Sequence, residues 1–383
     1  MTPIATTADL EKLCLELQPA EFITVDTEFM REQTYYPKLC LIQVASPDVA
    51  ATIDPLASGL DLSPFWELMA GPHQVKIFHA ARQDLEIFHY EGGLIPKNVF
   101  DTQVAAMVCG FGDQISYVNL VKAVTGAQLD KSSRFTDWSK RPLSEKQLDY
   151  ALGDVTHLRE VYLHLKAELE KSGRASWLAE EMATLTNSST YEQPPELAWQ
   201  RLKAKVKNRK AMAVLMSLAA WRERTAQSQN VPRQRIMRDD ALYDIANHAP
   251  RSSKELSGLR SIPDGFARSA RGGEILGAVE HGMGREMSEV PQLRQGQPLT
   301  AEATATLELL KVLLKSAAAR HGVATRLIAD ASDLEALARH EEPEVAALSG
   351  WRRELFGADA LALKHGKLAL TLRDGDVVLM PVE

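Results

Sequence analysis

An α/β domain followed by a helical remainder is the architecture this sequence predicts, on three observations. Segments rich in β-branched and aromatic residues come first, apolar residues then recur at spacings of three and four, and beyond residue 196 helical spacing dominates. With 383 residues the chain exceeds what one core usually supports, so two or three domains are expected. Residues 22–29, 39–44 and 49–53 read as a strand meander, and the short apolar run 75–78 as a fourth strand. Helical spacing follows through 85–88, 104–108 and a long stretch from Gln147 to about Leu169, which closes the α/β domain near residue 185. The polar segment 187–195 ends in Pro194-Pro195 and reads as a linker. Two helical stretches come next, from Leu197 to about Val279 and from Ala301 to Phe356, with a boundary in the Pro-, Gly- and Gln-containing segment 288–298. Near the end, Asp374-Gly375 between Lys367-Leu-Ala-Leu-Thr-Leu372 and Val377-Val-Leu-Met380 is a hairpin signal. The expected domains are therefore 1–186, a linker 187–195, 196–285 and 298–383.

Composition narrows the function classes. Hydrophobic residues make up 45% and charged residues 25%, as in ordinary soluble proteins, and no apolar run is long enough to cross a bilayer. The first residues include Asp9, Glu11 and Glu16 and lack a basic stretch followed by an apolar one, so a cytoplasmic location is expected. Cys14, Cys40 and Cys109 are far apart and form no C-x-x-C pair, which argues against zinc or redox chemistry. Charge is unevenly spread. Between Glu196 and Arg271 there are sixteen Lys/Arg and seven Asp/Glu, a balance of +9 in a chain of formal net charge −7, so the remainder carries −16. A basic part that grips phosphate and an acidic part that concentrates carboxylates for metal ions would produce this split, and so would a solvated helix face.

Three elements carry potential chemistry. Asp26 and Glu28 lie two apart on an expected strand, so both project from one face, about 6–7 Å apart along the chain. Buried there they would need divalent cations to offset their charge, whereas on an edge strand they would simply face solvent. Tyr150 and Asp154 lie at i,i+4 on a helix opened by the capping box Ser144-x-x-Gln147, and so share a face. Taken alone, that pair also fits a core tyrosine beside a surface aspartate. Asp84 follows the short strand 75–78 within residues 79–87 and is placed to face a cleft at the strand's end. Asp101 reads as a helix N-cap, and His79, Glu86 and His89 as structural or surface residues. No nucleotide-binding G-x-x-x-x-G-K-[ST] loop occurs, and His340-Glu-Glu lacks the second histidine of a zinc-protease helix.

Taken in order, the motifs Val25-Asp-Thr-Glu-Phe29 with the following residues 31–43, His79-Ala-Ala-Arg-Gln-Asp84, and Tyr150-Ala-Leu-Gly-Asp-Val155 resemble the three exonuclease motifs of the DEDDy superfamily. The likeness is greatest to the ribonuclease D family, which Trp138-Ser-Lys-Arg-Pro-Leu143 also resembles. The resemblance implies a ribonuclease H-like α/β fold with a mixed sheet. It also implies metal ligation by Asp26, Glu28, Asp84 and Asp154, with Tyr150 orienting the attacking water. The implied cofactors are two divalent cations, Mg²⁺ or Mn²⁺, which oxygen-only ligands suit. The implied activity is metal-dependent 3′-to-5′ exoribonucleolysis releasing nucleoside 5′-monophosphates, with tRNA precursors and other structured RNAs as substrates. Phe29 is a candidate to stack on a terminal base and equally a candidate core residue.

Residues 199–210, 215–224 and 232–246 resemble an HRDC domain, a small helical nucleic-acid-binding module, and 298–383 resemble a second, more divergent copy that departs from the all-helical pattern by its hairpin. Candidate phosphate contacts are Lys203, Lys207, Lys210, Arg233 and Arg235, each also readable as a solvated surface charge. A monomer is expected. Two other readings compete: a DNA 3′ exonuclease using the same site, and an RNA-binding scaffold with a dead nuclease domain. The second would show a missing ligand, and none of the five positions is missing.

Overall fold

The β-branched segments at the front of the chain build a five-stranded sheet. In the computed structural model, which describes all residues except 1, 131, 134, 204, 264, 293–297 and 383, the strands are β1 (Phe22–Met30), β2 (Lys38–Ala45), β3 (Ala50–Ile53), β4 (Val75–Phe78) and β5 (Val99–Asp101). Their order is β3-β2-β1-β4-β5. β2 and β3 pair antiparallel with Ile42 opposite Ile53, whereas β1–β4 and β4–β5 are parallel, with Phe22 opposite Val75 and Lys76 opposite Val99. The sheet is thus mixed, and the expected meander is its β1–β3 half. β5 was not anticipated, because Asp101 both ends this three-residue strand and caps the helix that follows, accepting the Gln103 and Val104 amides.

Around the sheet lie α1 (Thr7–Leu17), α2 (Ser63–Ala70), α3 (Arg82–Glu91), α4 (Thr102–Val108), α5 (Tyr117–Thr125), α6 (Glu145–Ser172) and α7 (Ala175–Leu185). α1, α2, α5 and α7 go beyond the sequence expectation. The signal for α1 was present, since Thr6 caps it through the Asp9 amide and Leu10, Leu13 and Leu17 bury one stripe. α6 starts at the expected capping box, with Ser144 accepting the Gln147 amide and the Gln147 side chain returning to the Ser144 amide, and it stops at Gly173 in the left-handed region.

The chain folds into two compact units. Unit 1 comprises Met1–Glu28, Cys40–Thr190 and Pro298–Glu383, and unit 2 comprises Phe29–Leu39 and Tyr191–Gln297. Unit 2 contains α8 (Arg209–Gln229), α9 (Arg233–Ile236), α10 (Asp239–His248), α11 (Ser253–Ser257) and α12 (Ala270–Met283). α8 is its centre, buried at almost every position from Ala211 to Glu223, and it meets α12 so closely that a Cβ on Gly282 would sit 2.6 Å from the Val214 Cα. The expected continuous helical stretch is broken at Pro250, Gly258 and Pro263, where Pro cannot donate and Gly ends a turn.

The last part of unit 1 carries α13 (Ala301–His321), α14 (Thr325–Ile328), α15 (Ala331–Arg339), and α16 (Gly350–Arg352) and α17 (Ala358–Lys364) joined by a π turn. The expected hairpin follows as β6 (Leu368–Arg373) and β7 (Asp376–Pro381), turned by Asp374 and Gly375 with φ of 54° and 91°. This part packs on α4 and α7. The Ala324 amide donates to the Met107 carbonyl, Trp351 stacks on Trp177 at 4.4 Å and 10°, and Arg352 pairs with Glu180 at 3.0 Å. Residues 293–297 of the expected boundary 288–298 lie outside the described residues. Among the described residues no helix is long and apolar enough to cross a membrane.

Candidate active site

Strand periodicity puts Asp26 and Glu28 on one face of β1, and helix periodicity puts Tyr150 and Asp154 on one face of α6. The fold brings these faces together. Asp26, Glu28 and Asp154 each offer a carboxylate oxygen, and the three oxygens lie within 4.8 Å of one another. Burial first, and the Asp154 charge second, hold the Asp26 carboxyl well above the usual carboxylate range. Crowding of anions in a low-dielectric site is costly unless cations or protons offset it, so the donor set fits hard divalent cations. It contains oxygen ligands only, in keeping with the absence of cysteine pairs from the sequence.

Asp84 stands in the first turn of α3, just beyond the end of β4, and is buried. It is not one of the three clustered carboxylates. Thr27, whose side chain lies between Asp26 and Glu28 in sequence, donates its hydroxyl to Asp84 at 2.5 Å. Burial and then the Asp26 charge push the Asp84 carboxyl up, and the Thr27 hydrogen bond opposes that rise. Tyr150 is half-buried, hydrogen-bonds to Asp154 and faces Trp138 at 6.1 Å between ring centroids. Burial, followed by the Asp154 and Glu28 charges, holds its phenol far above its ordinary range.

Two further residues shape the site: Tyr117, which sequence reasoning did not single out, and Asp101, which it read only as a helix N-cap. Tyr117 on α5 donates to the Gly153 carbonyl at 2.9 Å, directly before Asp154, and its phenol is pushed up by burial and then by Asp154 and Asp26. Asp101 accepts the Ala80 and Ala81 amides at 3.0 and 2.8 Å besides capping α4, which fixes the turn leading into α3 and Asp84. Tyr117 had no local signal, since it reaches the site only through packing of α5 on α6. The N-cap reading of Asp101 was correct, and its second task depends on the β4–β5 pairing. His79 is likewise structural, with Nδ1 3.0 Å from the Thr102 hydroxyl and its ring 5.5 Å from that of Tyr117. A cavity of about 720 Å³ lies against β5, lined by Phe100, Tyr162 and Met182 among others, and includes none of these carboxylates.

In unit 2, Lys203, Lys207 and Lys210 are exposed near the start of α8. Arg233 and Arg235 have protein partners: Arg233 pairs with Glu223 at 2.6 Å, and Arg235 bonds to Gln33. Phe29 is half-buried and directly follows Glu28 on β1.

Comparison with known proteins points in one direction. A family model described as a 3′-5′ exonuclease matches residues 1–170, and one described as an HRDC domain matches 211–279. The chain is 53% identical to a ribonuclease D of Nitrobacter hamburgensis, covering 99% of both chains, and 47% identical to one of Granulibacter bethesdensis, covering 96% of this chain and 94% of that one. It superposes on the crystal structure of Escherichia coli RNase D, an exoribonuclease involved in structured RNA processing, with a TM-score of 0.82 and 30% identity over 96% of this chain and 99% of that one.

Proposed function

The chain belongs to the ribonuclease D family and is a 3′-to-5′ exoribonuclease; from that premise we propose that it trims the 3′ ends of tRNA precursors and other structured RNAs in the cytoplasm, using divalent cations held by Asp26, Glu28, Asp84 and Asp154. The observation that carries this reading is the convergence of Asp26, Glu28 and Asp154 to within 4.8 Å, with the Tyr150 hydroxyl bonded to Asp154. The cations, two Mg²⁺ or Mn²⁺, supply Lewis-acid stabilisation of charge at phosphorus and on the leaving oxygen, and make water acidic enough to attack near neutral pH. The chain's own residues do the rest. Asp26, Glu28 and Asp154 form the ligand cluster, and Thr27 holds Asp84 in place beside it. Tyr150 stays protonated at neutral pH because burial and the neighbouring carboxylates disfavour its phenolate, so it orients the attacking water by hydrogen bonding rather than acting as a strong base. Release of nucleoside 5′-monophosphates follows from attack on the terminal phosphodiester.

Phe29 and the exposed Lys203, Lys207 and Lys210 are the proposed RNA contacts, with Arg233 and Arg235 contributing only so far as their protein partners leave them free. We assign the domains 1–186, 196–285 and 298–383, with 187–195 as the linker, and take the last as a second HRDC-like copy. The order of elements supports this. In both copies a 21-residue helix, α8 or α13, ends at a left-handed residue, Asn230 or Gly322; a four-residue helix, α9 or α14, follows; and α10 or α15 comes next with ten or nine residues. Among the described residues of unit 2 the hairpin β6–β7 has no counterpart.

The test uses a 5′-labelled RNA with a single-stranded 3′ tail and its DNA equivalent, with Mg²⁺, Mn²⁺ or EDTA, and Asp26→Asn alongside. Stepwise shortening of RNA only with metal, lost in the variant and absent on DNA, is expected. Binding without shortening under every metal would leave the scaffold reading in its place. Size-exclusion with mass measurement is expected to show a monomer.

A further inference from the structure

Phe135 is an exposed side chain on a stretch of chain that is otherwise tied down. Among the described residues it is the most exposed of the large hydrophobic side chains, at 91%. Exposure alone says little, since single apolar side chains on a surface are ordinary. Its surroundings say more. Two residues before it Ser133 is buried, and three residues after it Trp138 is buried with its ring 6.1 Å from that of Tyr150. Thr136 folds back on Ser133, its amide and hydroxyl donating to the Ser133 carbonyl at 3.2 and 2.8 Å. The same hydroxyl accepts from the Gln147 side chain at 3.1 Å. Further along, Arg141 donates to the Trp138 carbonyl and grips both Asp54 oxygens, each at 2.7 Å.

Gln147 fixes where this segment sits. On α6, Gln147, Tyr150 and Asp154 stand at i, i+3 and i+7 and share the stripe that brings Asp154 to Asp26 and Glu28. Seven residues of helix span about 10 Å. Thr136 is therefore bonded to one end of a stripe whose other end holds a carboxylate of the cluster, and Phe135 is its neighbour in the chain. A strand whose terminal phosphodiester lies at the carboxylates, and which leaves along this stripe, brings one of its last few bases to the Phe135 ring. A phenyl ring held in water on an anchored backbone suits that contact. Its place is set before RNA arrives, so little ordering is left to do on binding, and a base would cover apolar surface that water covers otherwise.

We propose that Phe135 is a substrate-binding residue on which one of the last few bases of single-stranded RNA stacks. The proposal rests on the reading of the carboxylate cluster as the active site, which is what places the 3′ end. Every base has a π face, so stacking holds the strand without regard to sequence, as removal of successive nucleotides requires.

The experiment compares the full-length protein with Phe135→Ala, Phe135→Leu and Phe135→Trp. Leucine keeps an apolar side chain without a π face, and tryptophan keeps the face. Each protein is titrated in EDTA with short single-stranded RNAs carrying 2-aminopurine, whose fluorescence is quenched by stacking, at each of the last few positions in turn. A parallel set carries an abasic sugar at the same positions. Wild type is expected to quench at one position and to bind about tenfold more weakly when that base is missing, within the range that alanine substitution of stacking aromatics gives. Phe135→Ala and Phe135→Leu are expected to lose that quenching, to bind intact RNA about tenfold more weakly and to ignore the missing base, while Phe135→Trp retains all three features. Wild-type affinity in Phe135→Ala overturns the proposal. So does Phe135→Leu matching wild type, or an abasic sugar that weakens wild type and Phe135→Ala equally at every position. Shortening activity that survives in Asp26→Asn would instead overturn the active-site reading, and because the titrations in EDTA need no turnover the two failures are told apart.

Discussion

Replacing Thr27 by Val tests whether Asp84 is held in place by one hydrogen bond. The two side chains have nearly the same shape, Thr27 is 5% exposed, and its hydroxyl meets the Asp84 carboxylate at 2.5 Å in a site where Asp84 is 6% exposed. A hydrogen bond to a charged group contributes about 1.5–3 kcal/mol, and the acceptor left behind stays buried, so the loss is expected near the middle of that range, about 2 kcal/mol. The same figure bounds the effect on the reaction. If Asp84 must be in place for turnover, kcat/KM falls by up to about thirtyfold, at roughly 1.4 kcal/mol per factor of ten. Urea unfolding in EDTA, followed by far-UV circular dichroism, reads the first quantity, and shortening of labelled RNA with Mg²⁺ reads the second. Thr27→Ser, which keeps the hydroxyl and loses only a methyl group, is expected to recover most of the activity. Unfolding and turnover of Thr27→Val both matching wild type would refute the argument, and so would a Thr27→Ser variant no better than Thr27→Val.

Other consequences are open to direct measurement. Gly282→Ala places a methyl group 2.6 Å from the Val214 Cα and 2.9 Å from the Ala213 carbonyl oxygen, both rigid backbone; overpacking of about 1–3 kcal/mol should outweigh a helix-propensity gain of up to about 1 kcal/mol, and a melting temperature at or above wild type would contradict the packing of α8 on α12. Lys76 is fully buried, and burial lowers its ammonium from 10.5 to about 8. Because the unfolded chain then binds the extra proton between about pH 8 and 10.5, this group makes stability rise with pH across that window. Wild type should therefore gain on Lys76→Met as pH is raised from 8 to 10.5, and a difference independent of pH would disprove the depressed value. Burial pushes the Cys14 and Cys109 thiols up to about 11 and Cys40 is buried, so a thiol reagent at pH 8 should label the folded protein slowly and the unfolded protein at all three sites. Rapid labelling of the native state would place these residues at the surface. Arg352→Met breaks the pairing with Glu180 and Glu181 and the stacking on Trp351, and should expose the Trp177–Trp351 stack to fluorescence quenchers; unchanged quenching would show the stack holds without it.

Much of the fold and of the site could be read without coordinates, and the reasons are local. β1, β2 and β4 announce themselves through β-branched residues, α6 through its capping box and αL glycine, and the terminal hairpin through Asp374-Gly375, because each signal lies within a few residues of the structure it causes. The pairs Asp26–Glu28 and Tyr150–Asp154 were legible for the same reason, since strand and helix periods put each pair on one face. β5 was hidden by its three residues and by Asp101 serving as strand end and helix cap at once.

Which pairs meet is a different kind of fact, decided only when the sheet closes against α6. The 4.8 Å convergence of Asp26, Glu28 and Asp154, the Thr27–Asp84 bond, and the approach of Tyr117 to Gly153 join residues far apart in the chain. Arg233 shows the limit most clearly. Its sequence surroundings are basic and suggest a phosphate contact, yet the folded chain surrounds it with Glu223 and Tyr35. Sequence specifies the types of charge and the periodicity of each element; whether a charge faces solvent, a ligand or a partner side chain follows from packing between elements, where burial raises the cost of every unpaired group and so selects the arrangement that pairs them.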